Sequence, residues 1–184
     1  MITVIGSYKA KITDEYGNVT EYPEVTNQTQ DGMGVLIASL CGNFDAGAGD
    51  GIGINQVAFG TGNELWYESA GVYYEEPVRS KAATVLYNEF AVAEIPENFI
   101  SYVDPSTYEA VSYKTNTIKV TIIRGVTATD ETHGEVALYS AINPAYNTST
   151  TGRLMLNWGV HSAQYAKSAN STLEIPLILK FVNI

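Results

Sequence analysis

Three pairs of acids lie close enough in the sequence to invite acid–base chemistry: Glu75 with Glu76, Glu89 with Glu94, and Glu131 with Glu135. Two carboxyl groups about 5 to 9 Å apart cleave glycosidic bonds in β-sandwich glycosidases, so these pairs are the first candidates for catalysis. Adjacent strand residues point to opposite faces, and Glu75 and Glu76 converge only where the chain bends. With 20 Asp and Glu in the chain, close pairs arise by chance, and none receives a catalytic role. The two histidines, His133 and His161, are 28 positions apart and form no H-E-x-x-H metal spacing. His161 precedes Ser162, but neither histidine lies near a G-x-S-x-G nucleophile turn. Gly47 to Gly53 fails the G-x-G-x-x-G spacing because Ile52 takes the last glycine position, and no Walker lysine follows. Asp45 and Asp50 lack the alternating carboxylates of a calcium loop, and Cys41 stands alone. The chain is expected to be no enzyme, with no catalytic residue, cofactor or metal.

Recognition chemistry is better represented. Trp66, Tyr67, Tyr73 and Tyr74 fall in one extended aromatic connection over residues 63–77. Such rings can stack on sugar faces, or they can anchor on another protein, since Tyr and Trp are enriched at interfaces. Their irregular spacing favours the protein partner: a loop of this kind recovers its ordering entropy only when it packs on something. Pro176 interrupts the closing apolar run with a residue lacking an N–H, which predicts an edge strand available to a neighbouring subunit. These five residues are the candidate partner-binding positions.

The elements that must carry them are mostly strands. The 13 Tyr and 16 Gly, with many Thr, Val and Ile, favour short strands broken by turns. Ile2 to Ile12 and Val19 to Thr26 flank the turn Asp14-Glu15-Tyr16-Gly17-Asn18, predicting an N-terminal hairpin over 1–26 that could serve as an assembly arm. Further strands are predicted at Ile54 to Phe59, Ala82 to Ile95, Tyr108 to Tyr113, Thr117 to Arg124, Gly134 to Ser140, Arg153 to Val160 and Thr172 to Val182. One short helix is predicted within Asp31 to Gly42. The absence of a βαβ rhythm points to a mostly-β fold, a single antiparallel β-sandwich or jelly-roll-like domain spanning 1–184.

Composition sets the environment. A net charge of -10 without a Lys/Arg cluster speaks against nucleic acid and anionic membrane surfaces. The excess is uneven, because residues 136 to 184 hold a single acid, Glu174, against Arg153, Lys167 and Lys180. One cysteine rules out an intrachain disulfide framework. No basic-then-apolar leader opens the sequence and no apolar run approaches about 20 residues, so a soluble protein made in a cytoplasm is expected.

Against this background the order of motifs is familiar. Asn27-Gln28-Thr29-Gln30-Asp31-Gly32, the helix at Val35 to Leu40, and Ile54-Asn55-Gln56-Val57-Ala58-Phe59-Gly60-Thr61-Gly62 together resemble tailed-bacteriophage virion accessory proteins. Gly134-Glu135-Val136-Ala137-Leu138-Tyr139 and the closing Ser171 to Phe181 are similar to later strands of that pattern. The resemblance covers most of residues 27 to 183. It implies a virion protein, assembled in the host cytoplasm, that decorates or cements a head shell and binds the major capsid protein or other virion proteins. A homo-oligomer, with a trimer at quasi-threefold positions, is also implied. The alternatives are a tail, baseplate or fibre accessory, and a carbohydrate-binding module using the aromatic loop.

Overall fold

The structure, a computed structural model, describes residues 2–30, 33–34, 37, 53–63, 66, 85–141 and 153–183. It is mostly β, with the antiparallel, sandwich-like character expected. The chain forms two compact units: Met1–Asn27, Pro96–Thr132 and Tyr165–Ile184 make the first, Gln28–Ile95 and His133–Gln164 the second.

The first unit is organised by β12 (Thr172–Asn183). One side pairs with β8 (Thr117–Arg124) from Leu173↔Arg124 to Lys180↔Thr117, and β7 (Ile100–Tyr102) lies beyond β8. The other side pairs with β1 (Ile2–Tyr8) and then with β2 (Lys11–Thr13). β4 (Val25–Thr29) adds to β1, and β3 (Val19–Glu21) adds to β2. Leu173, Ile175, Leu177 and Leu179 are all buried, as a period of two requires, and pack in a core with Val4, Tyr8, Ile12, Val120 and Ile122.

The predicted turn is present between β2 and β3. Gly17 donates its N–H to the Asp14 carbonyl at 3.1 Å, and Asp14 Oδ1 accepts from the amides of Tyr16 and Asn18. Gly17 sits at φ +85, where a side chain would be strained. The hairpin is not a free arm, because β1 lies between β12 and β4.

Two expectations are corrected. β12 is a central strand, not an edge: Pro176 pairs with Thr121 on one side. On the other side the ladder steps from Tyr8↔Leu177 to Lys11↔Glu174, so Pro176 faces the break between β1 and β2, where a ladder amide is not required. The Tyr108 to Tyr113 segment contributes one bridge, Val103↔Ala110, in place of a strand. Asp104 organises it as a polar turn, accepting from the amides of Ser106 and Thr107, and β7 takes the place beside β8.

The second unit centres on β9 (Glu131–Ala141), most of which belongs to it. β5 (Gln56–Gly60) pairs with β9, and β6 (Glu89–Glu94) pairs with β5 and ends the sheet among the described residues. β10 (Arg153–Met155) and β11 (Asn157–Lys167) also neighbour β9. Val57, Ala58, Phe59 and Val136 to Tyr139 are buried without alternation, so both faces of these strands are covered. Met33, Gly34 and Ile37 are helical, within the Asp31 to Gly42 range where the short helix was expected; the other residues of that range lie outside the described residues. Among the described residues no helix is long and apolar enough to cross a membrane.

Candidate functional site: an anchored apolar sheet edge

Glu135 is the organising side chain of the second unit. It is wholly buried, yet both of its oxygens are engaged. Oε1 accepts from the backbone amides of Tyr87 (2.7 Å) and Asn88 (3.1 Å), and Oε2 accepts from the Trp158 indole N–H (2.8 Å). Three donors to one carboxylate offset the cost of burying it, and they lock the segment entering β6 against β9. Asn88 extends the lock by donating its side-chain amide to the Gly62 carbonyl at 2.8 Å.

Gly60 makes this approach possible. A Cβ at residue 60 would lie 2.7 Å from Glu135 Oε1 and 3.0 Å from the Asn88 carbonyl oxygen. Gly60→Ala should therefore lower stability by about 2–3 kcal/mol, through overpacking against a backbone atom that cannot yield. A denaturant midpoint equal to that of the unchanged protein would refute this.

Trp66 belongs to the same construction. It is 3% exposed, in a core cluster with Ala58, Leu86, Ala137, Tyr139, Met155 and Trp158. Its ring meets Tyr87 and Trp158 edge-on at centroid distances of 5.2 and 5.7 Å. The surface platform expected of the aromatic loop thus loses its tryptophan to the interior. Trp66→Ala should cost about 3–5 kcal/mol, read as a lowered melting temperature, whatever the protein binds. Tyr67, Tyr73 and Tyr74 lie outside the described residues, as do Glu75, Glu76, Cys41, Asp45 and Asp50.

The remaining carboxylate candidates are engaged separately. Glu89 accepts from Arg153 Nη2 at 2.8 and 3.1 Å, and the same guanidinium lies 4.4 Å from the Tyr139 ring centroid. This ion pair ties β6 to β10. Glu131, in the first unit, receives Nε and Nη2 of Arg124 in a forked contact. The Glu131 hydrogen bond holds the Arg124 guanidinium above its ordinary pKa. Glu131 and Glu135 therefore serve different local structures. His133 is buried between the edges of Phe59 and Phe90, at 5.4 and 5.2 Å, and His161 is buried nearby. Burial first, and the His133 field second, push the His161 imidazole down to about 3. Among the described residues no three His, Cys, Asp or Glu gather as a metal cluster.

What this scaffold presents outward is β6 and the segment before it. Val85, Tyr87, Phe90 and Val92 are exposed, with Phe90 at 40% and Val92 at 44%. Because Ile95 donates its N–H inward to the Asn55 carbonyl, the alternation of an antiparallel ladder turns the amides of Glu94 and Val92 away from β5. Apolar side chains and outward backbone groups thus occupy one rigidly held strip, suited to contacting another chain. No sequence signal marked Phe90 or Val92, because alternating Phe, Val and Ala read equally well as a half-buried strand. The chain matches no protein-family model, no curated protein and no solved structure.

Proposed function

We propose that the chain is a non-enzymatic structural protein of a tailed-phage virion, a head decoration or cement protein that docks on capsid subunits and reinforces the shell. The observation that supports this reading is the strip of Val85, Tyr87, Phe90 and Val92, on β6 and the segment leading into it, fixed from behind by Glu135 and Arg153. Rigid, exposed apolar residues are what a docking protein needs, since little ordering entropy is lost when they are covered. Each 100 Å² of apolar surface removed from water contributes roughly 2.5 kcal/mol before those losses. Repetition over a shell, or trimerisation at quasi-threefold positions, converts modest single contacts into stable occupancy.

Mixing the purified protein with empty capsids tests the reading. Cosedimentation and a raised capsid melting temperature are expected. A protein that ignores capsids but binds assembled tails belongs to the tail or baseplate alternative, and one that binds only a glycan array belongs to the carbohydrate-binding alternative. Either result would overturn the decoration role.

A further inference from the structure

The geometry points to β6 as the acceptor for one added antiparallel strand, donated by a partner protein whose alternating apolar residues are flanked by lysine or arginine. This names the partner chemistry of the assembly surface proposed above and rests on that reading.

Three observations carry it. First, β6 ends the sheet among the described residues, and its outward amides fall on Val92 and Glu94. A sheet edge of this kind is completed by main-chain hydrogen bonds from an extended segment, with side chains supplying specificity. Second, Phe90 and Val92 are exposed on the same strand, so the added strand would gain apolar contacts as well.

Third, charge selects the occupant. The second unit holds 10 Asp and Glu against 3 Lys and Arg, which places -7 of the chain's -10 there. The strand Glu89-Phe90-Ala91-Val92-Ala93-Glu94 ends on the exposed acid Glu94, while Glu89 at its start is paired with Arg153. Antiparallel pairing with a second copy would bring two such acidic units together across β6, which like-charge repulsion opposes. A strand with basic flanks meets the same charge with attraction.

The full-length protein can be titrated with two synthetic peptides, Lys-Val-Thr-Val-Thr-Val-Lys and its Glu-flanked counterpart. The lysine peptide should bind at least about tenfold more tightly, with the preference shrinking as salt rises. It should slow amide exchange at Val92 and Glu94. Val92→Pro removes an outward N–H while leaving the amides that face β5, so it should abolish peptide binding in a protein that still melts cooperatively. Should that variant fail to fold, Glu94→Lys decides: it should reduce the preference for the lysine peptide by about tenfold. Equal binding of both peptides, or protection confined to other strands, overturns the inference. So does concentration-dependent dimerisation that Val92→Pro removes, because the occupant is then a second copy. Capsid binding that survives Val92→Pro overturns strand addition and leaves the decoration reading intact. Peptide binding at β6 without any capsid binding sinks the decoration reading alone.

Discussion

Glu135→Ala should destabilise the second unit by about 4–6 kcal/mol, enough to leave much of it unfolded if the protein has an ordinary stability margin. The substitution orphans the amides of Tyr87 and Asn88 and the indole N–H of Trp158 together. A buried donor left without an acceptor costs about 1–3 kcal/mol, and the space behind Gly60 opens as well. Glu135→Gln separates the contributions. Its single carbonyl oxygen can serve the two backbone amides, but its NH2 group then confronts the Trp158 N–H, donor against donor, for a loss of about 2–3 kcal/mol. Trp158→Phe removes the opposing donor, so Glu135→Gln should cost at least about 1 kcal/mol less in that background. Additive losses in a double-mutant cycle by urea unfolding would show that the carboxylate does not join these groups.

The consequence reaches the surface. Tyr87 and Asn88 lead into β6, and Thr61 donates its N–H to the Asn88 carbonyl at 3.1 Å. A damaged Glu135 should therefore release the edge strand before the rest of the unit. Amide exchange in Glu135→Gln is expected to accelerate first at Phe90 to Glu94.

Where the physics was local, it was legible in the sequence. Asp14 to Asn18 announces its turn because an Asp that can cap amides and, three positions on, a Gly that tolerates positive φ fall within one turn. The alternation of Leu173, Ile175, Leu177 and Leu179 reveals a strand with one buried face, and the boundaries Thr117 to Arg124 coincide with β8. Tertiary context was not legible. Pro176 predicts an edge when neighbouring strands are taken as continuous, yet a neighbour that breaks opposite the proline tolerates it equally well. Trp66 has the residue type of a binding platform, and only the proximity of Trp158 and Met155 shows that it fills a core. Tyr108 to Tyr113 has β-forming composition, but Asp104 captures the preceding amides in a turn. Glu135 looked like half of a carboxylate pair, because its three donors come from positions 23 to 48 residues away.

Mild acid should destabilise the second unit through His161. Burial and the neighbouring His133 hold its imidazole neutral in the folded state down to about pH 3, whereas the unfolded chain takes up the proton near the ordinary value of 6.5. Between those limits the unfolded state binds the additional proton, so stability is full above 6.5 and falls as pH drops through the window. Each pH unit is worth about 1.4 kcal/mol, so acidification from pH 6.5 to 5 should remove roughly 2 kcal/mol and the whole window about 4–5. His161→Gln keeps a polar side chain but does not titrate, and its stability should fall less steeply by about 1.4 kcal/mol per pH unit. The difference between the two proteins, measured by urea unfolding from pH 7 to 5, isolates this residue from carboxylates that titrate at lower pH. Parallel curves would mean that His161 is not held neutral by burial. The location of the loss matters for the surface too, because His133 touches Phe59 of β5 and Phe90 of β6. A proton forced into the histidine pair must disturb rings that seat the edge strand, so exchange protection at β6 should decline with pH before that of β12.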